Sequence, residues 1–177
     1  MIKAGLALCL SFCILILISF GGVQAAIASP QPPSAIYLAS SGGTVFKFSG
    51  KRPTTLGVQD GKLSACPSSP NCVSSQAPDG DAEHKIAPIP YTTSPEQALA
   101  AIKSIVQGMD RTAIITETED YLYAEFTSAL MGFVDDVEFF VDPTAQVIQV
   151  RSASRLGQSD LGVNRKRIED IRAQFRA

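Results

Sequence analysis

Arginines, small hydroxyls, glycines and an asparagine crowd one stretch, Arg151 to Arg167, RSASRLGQSDLGVNRKR. Neither strand nor helix periodicity accounts for these choices, so they serve buried polar contacts, turn geometry or a ligand. Arg155 and Arg165 offer guanidinium forks for a carboxylate or phosphate. Ser152 and Ser154 add hydroxyls, while Gly157 and Gly162 would let backbone approach closely. Amides at a helix start attract anions. One reading is therefore anion capture at the join between the last strand and the last helix. Its candidate residues are Arg151, Ser152, Ser154, Arg155, Asp160, Asn164 and Arg165. The other reading is a polar network that positions the helix, with Asp160 as its cap and the arginines bonded to local carbonyls.

Other constellations carry less. His84 is the only histidine, and no G-x-S-x-G elbow accompanies Ser74 or Ser75, so a serine hydrolase is not expected. Cys66, Cys72 and His84 have the chemistry of zinc or copper ligands, but a fourth ligand is not evident. Asp135, Asp136 and Glu138 suit a hard cation. Adjacent strand residues point to opposite faces, however, so Asp135 and Asp136 cannot share one ion without a bulge, and the favoured reading is that Asp136 and Glu138 pair with Arg151, Arg155 or the basic helix. No catalytic residue, metal or cofactor is assigned.

These residues sit in a chain of 177, with 45% hydrophobic and 18% charged residues, enough for one globular domain. Trp is absent and the formal net charge is −2, which argues against a nucleic-acid surface. The charges are unevenly spread. Asp110 to Asp142 carries nine acids against one base, Arg111, and Arg151 to Ala177 carries seven bases against three acids. The two halves are expected to neutralise one another inside one fold.

Residues 1–28 read as a signal peptide: Lys3, an apolar run from Ala4 to Phe20, then Val23-Gln24-Ala25 as one cleavage site and Ala26-Ile27-Ala28 as a second. An uncleaved anchor over residues 4–20 is the alternative. Export places the mature chain in a periplasm or an organelle lumen. Two cysteines outside the signal, Cys66 and Cys72, are expected to pair there, contributing about 2 kcal/mol. Redox-active or metal-binding thiols are the alternative.

Residues 29–50 form a linker with a short hairpin within Ile36 to Phe48, and 51–177 form a single domain. Gly50 to Pro90 is rich in Pro, Gly and Ser. Ser94, Pro95 and Gln97 predict a capped helix over Ser94 to Gly108, with Gly108 left-handed at its end. Four strands come next: 112–118, 121–127, 133–141 and 146–152. Short connections make them an antiparallel meander. If Asp142 to Ala145 closes the last hairpin, Val137 faces Val150, Phe139 faces Ile148, and Asp136 forms an ion pair with Arg151. A second helix runs from between Asp160 and Asn164 to about Phe175, with Leu161, Ile168, Ile171 and Phe175 as its core stripe. The predicted class is α+β: a four-stranded antiparallel meander packed with two helices, preceded by a cysteine-tied Pro/Gly/Ser-rich region.

Leu56-Gly57-Val58, Cys66-Pro67 with Pro70 to Ser75, Phe133 to Phe139, and the arginine-rich segment resemble one uncharacterised family, domain of unknown function 1499. The resemblance covers about Arg52 to Phe175. Its bacterial, cyanobacterial and plastid members imply a periplasm or thylakoid lumen. It carries no activity, cofactor or assigned site. The expected function is that of an exported, non-catalytic binding or accessory domain. The alternatives are an enzyme or carrier for a small anion, and a thiol redox or metal protein using Cys66 and Cys72. Expected partners are a small anion or an envelope or lumen protein. Nucleic acid is not expected, and a membrane only through an uncleaved N-terminus.

Overall fold

The computed structural model describes residues Phe48–Arg176. The signal segment, the linker with its hairpin and the 1–28 boundary lie outside the described residues. The described chain forms an α+β fold of two helices and six antiparallel strands, in which β1 (Cys72–Ser74) and β2 (Ile89–Pro90) precede α1 (Pro95–Gln107). Then come β3 (Thr112–Glu117), β4 (Tyr121–Thr127), β5 (Val134–Asp142), β6 (Val147–Ser154) and α2 (Val163–Gln174). The sheet runs β1-β6-β5-β4-β3, and β2 also pairs with β6. The meander is as expected. The two added strands, three and two residues long, lie in the Pro/Gly/Ser-rich stretch, where so few residues show no periodicity.

α1 begins with the predicted capping box. Ser94 accepts from the Gln97 amide, and the Gln97 side chain accepts from the Ser94 amide. Its end differs from expectation. Gly108 stays right-handed at φ −79°, and Arg111 takes the left-handed turn at φ 54°. α2 starts later than Leu161, which is 93% exposed and left-handed at φ 55°. Leu161 is therefore not part of the core stripe. Asp160 caps the helix from just ahead, which leaves Leu161 and Gly162 in the turn with Leu161 facing out.

The two helices cover one face of the sheet. Leu99, Ile102 and Val106 of α1 and Ile168 and Ile171 of α2 join Val137, Phe139, Ile148 and Val150 in one core. Burying each such side chain contributes roughly 1.5–3 kcal/mol. The other face is also covered. Leu56, Val58 and Leu63, from the irregular segment before β1, pack on Tyr121, Tyr123 and Phe140. By strand alternation Ile114 packs on the helix-side core and Ile115 on the other face, and β3 carries a bulge between Ile114 and Thr116. Cys66 and Cys72 form the disulfide, with Cα atoms 5.7 Å apart, tying the covering segment to β1.

The β5–β6 register differs from the expected one by two residues. Asp142 faces Val147, so the loop is residues 143–146, and Gln146 adopts a left-handed φ of 53°. The Asp142 carboxylate accepts from the Thr144 and Ala145 amides and sets the turn. A two-residue slip preserves strand parity, so the predicted apolar face is still buried, but every partner changes. Val137 faces Ser152, Phe139 faces Val150, and Asp136 faces Ala153. The expected Asp136–Arg151 ion pair is replaced by two others: Arg151 pairs with Glu138, and Arg155 with Asp136.

Candidate functional site

Alternation along β6 sends the candidate residues to opposite sides of the sheet. On the helix side, Asn164 is the hub and is fully buried. Ser152 Oγ donates to Asn164 Oδ1 at 2.5 Å, and Arg167 Nη1 donates to the same oxygen at 2.7 Å. Asn164 Nδ2 donates to the Asn71 carbonyl at 3.0 Å and to Ser154 Oγ at 2.9 Å. Arg167 also reaches Asp135 at 2.5 Å, and its guanidinium lies 4.7 Å from the Phe126 ring centroid. One amide side chain thus joins β6, α2 and the disulfide loop.

The far face carries Arg151 and Arg155. Arg155 donates to Asp136 at 2.6 Å through Nη2 and at 2.9 Å through Nε, and to Glu125. Tyr123 donates to Asp136 at 2.5 Å and accepts from Arg155 at 3.0 Å. Arg52, from the covering segment, closes the group by donating to Glu125 at 2.6 Å. Beside it, Glu138 is completely buried. It accepts from Tyr121 Oη at 2.8 Å, from Arg151 at 3.2 Å and from the Gly57 amide at 2.8 Å. Arg151 Nε is buried with no acceptor among the described residues.

These neighbours shift the titrating groups as their chemistry requires. The bond to Asp136 holds the Arg155 guanidinium above its ordinary range, against the opposing effect of burial. Burial pushes the Tyr121 and Tyr123 hydroxyls up, and the carboxylates of Glu138 and Asp136 push them further. Burial tends to raise Glu125, but bonds from Arg52 and Arg155 outweigh it and hold the carboxyl low. Every carboxylate here accepts bonds from donors on its own chain, so the arrangement neutralises charge.

The remaining candidates are also engaged. Asp160 accepts from the Gly162 and Asn164 amides at 3.0 and 2.8 Å, capping α2. Arg165 donates to the carbonyls of Lys85 and Glu83 at 2.8 and 2.9 Å. Gly162 and Gly157 adopt φ of 81° and 91°, and an added Cβ would meet nothing within 4 Å at the first and only a carbonyl at 3.9 Å at the second. Their requirement is the backbone angle, not the close approach expected from the sequence. An open cleft of about 320 Å³ beside Asp160, Leu161 and Arg165 includes Pro70 and Glu83. A second, of about 350 Å³, lies between Arg111, Phe126, Ser128, Lys166 and Arg167.

Sequence reasoning placed Asp136 and Glu138 opposite Arg151, Arg155 or the basic helix, as the ion pairs show, but missed Arg167, Tyr121, Tyr123 and Asn71. Parity held the signal: Asp136 and Glu138 alternate with buried Val137 and Phe139, and Tyr121 and Tyr123 flank Leu122. A strand apolar on one side with charges and tyrosines on the other predicts a second buried face only if something covers it. Nothing in the residues 52–66 marks them as that cover. The disulfide withdraws Cys66 and Cys72 from metal ligation. Among the described residues, no group of three or more His, Cys, Asp or Glu is placed to hold an ion.

His84 stitches the loops together. Its ring bonds Asp81 at 2.7 Å through Nδ1 and the Ser69 carbonyl at 3.2 Å through Nε2. Both nitrogens face acceptors, which suits the protonated ring. The bond to Asp81 raises the histidine above its ordinary value despite burial, and the same bond lowers Asp81. A raised histidine contributes stability fully below its unfolded value, about pH 6.5, and loses it as pH rises through the folded value. Asp81 works oppositely, losing its part as pH falls through its lowered value. The expected result is a single histidine resonance titrating above pH 6.5 by NMR. The stability advantage over His84→Asn should shrink as pH rises from about 6 to about 8. A midpoint below 6.5 contradicts this bridge.

Fold and site define a small α+β domain whose sheet is covered on both faces and whose conspicuous polar residues bond to one another. A family model described as Protein of unknown function (DUF1499) matches residues 62–175, and the chain belongs to that family. No curated protein matches the chain, and no solved structure does.

Proposed function

We propose that this protein is a non-catalytic binding or accessory domain working outside the cytoplasm, in a periplasm or thylakoid lumen. In this reading the Arg151–Arg167 segment is architecture: it joins the two faces of the sheet to α2. One observation carries it. Arg151, Arg155, Arg165 and Arg167 each donate to an acceptor of their own chain, and the first two are aimed at carboxylates beneath the covering segment. A guanidinium so engaged must break those bonds before it can receive a ligand, at a cost of several kcal/mol per buried pair. The Cys66–Cys72 disulfide supports an oxidising compartment. The Ala4–Phe20 run and the small residues after it support export, as a cleaved signal.

A broad hydrolase and redox activity panel, together with thiol counting on protein from its native compartment, tests the reading. The expected results are no reproducible turnover and two thiols that appear only after denaturation and reduction. Turnover abolished by Arg155→Ala or Cys66→Ser contradicts it. Free thiols on Cys66 and Cys72 in the native protein contradict the assigned compartment.

A further inference from the structure

We infer that the end of the sheet bearing the β4–β5 and β6–α2 loops rests on a lipid surface. Among the described residues, six large apolar side chains are more than a third exposed: Phe48, Leu130, Phe133, Leu156, Leu161 and Val163. All six lie at this end. Leu130 and Phe133 belong to the loop between β4 and β5, and Leu156 and Leu161 to the loop between β6 and α2. Val163 opens α2 and shares a cleft with Thr127 and Ser128. The Phe48 ring centroid lies 5.7 Å from that of Phe133, and the Phe48 amide donates to the Met131 carbonyl. Gly50 packs against Leu156, whose Cγ is 3.1 Å from where a Cβ would stand. The opposite end, with its turns at residues 118–120 and 143–146, contributes none of the six.

Two features favour lipid over a protein partner. Leu130 and Leu161, 63% and 93% exposed, project from separate loops rather than lining one groove. A protein would need a matched socket for each, whereas acyl chains accommodate any projecting apolar group. Exposed Lys51, Arg111 and Lys166 surround the loops, Arg111 beside Asp110 and Lys166 paired with Asp170, and long cationic side chains suit the headgroup level. No described helix is long and apolar enough to cross a membrane, so the contact is interfacial.

This inference deepens the binding-domain reading by naming its partner, and rests on it. The protein contains no Trp, so a single introduced one reports its own surroundings. Full-length Leu130→Trp, Leu161→Trp and Ala145→Trp chains are mixed with phosphatidylcholine–phosphatidylglycerol vesicles carrying bromine on their acyl chains. All three positions are exposed, so the core is untouched. The expected result is a blue shift and loss of most emission at positions 130 and 161, and unchanged emission at 145. Unquenched emission at either loop position overturns the inference. If that emission is also blue-shifted, protein, a second copy included, covers the residue instead. Equal quenching at 145 overturns it too. None of these outcomes depends on catalytic turnover, which judges the broader reading separately.

Discussion

Replacing Glu138 by alanine is expected to destabilise the domain by about 3–5 kcal/mol, the range for removing one partner of a buried ion pair. Glu138 has no exposed surface, and three donors converge on it: Tyr121 Oη, the Arg151 guanidinium and the Gly57 amide. Truncation strands all three, and Arg151 already lacks an acceptor at Nε. A loss of this size is a large fraction of a typical domain's stability. Glu138→Gln retains an acceptor for Tyr121 and Gly57 but not the charge opposite Arg151, so its loss is smaller. Replacing both Glu138 and Arg151 by leucine removes the charges together and is expected to cost less than the sum of the single changes. Urea unfolding of the parent and these variants measures the differences. A Glu138→Ala protein as stable as the parent contradicts the assignment of the pair.

Asn164→Ala is expected to cost about 2–4 kcal/mol, from several buried groups left unsatisfied at roughly 1–3 kcal/mol each with partial relaxation. The groups are Ser152 Oγ, Ser154 Oγ, the Asn71 carbonyl and one arm of Arg167. Asn164→Asp keeps the oxygen facing Ser152 and Arg167 but loses the amide donor to Asn71 and Ser154. It therefore separates the two halves of the hub. Thermal unfolding gives the size. Hydrogen exchange gives the place: the amides of β1 and the first turn of α2 should lose protection first, because Asn164 is what joins them. Uniform loss of protection across the sheet would argue for general cavity formation.

The elements that were readable in the sequence are those whose signal is local. The α1 capping box depends on residues three apart, and β4, β5 and β6 alternate or run apolar over seven to nine residues. The buried face of β5 and β6 was readable because side-chain parity survives a two-residue slip. That Asp136 and Glu138 meet arginines was readable too, but which acid meets which arginine was not, because that depends on which residue ends the hairpin. Asp142 bonds forward to Thr144 and Ala145, and Gln146 accepts a left-handed angle that its residue type does not advertise. Leu161 misled for a similar reason. It falls on the helical stripe by spacing, yet Asp160 starts the helix only after it. The candidate site was half readable. Ser152, Asn164 and Arg155 are polar groups that a buried context must satisfy, but their partners lie in distant segments. Asn71 is 93 positions from Asn164, and Arg155 is 30 from Glu125.

Architecture and ligand site make opposite predictions for Arg155. Residues kept for a ligand are often held at a cost, so their removal leaves stability unchanged or improves it. Residues kept for the fold destabilise when removed. The deciding measurement is a double-mutant cycle in urea with Arg155→Met, Asp136→Asn and the pair. The domain is expected to lose about 3–5 kcal/mol on Arg155→Met, with clear coupling between the two changes. An Arg155→Met protein at least as stable as the parent, with additive effects, would contradict the conclusion that the segment Arg151–Arg167 serves the fold.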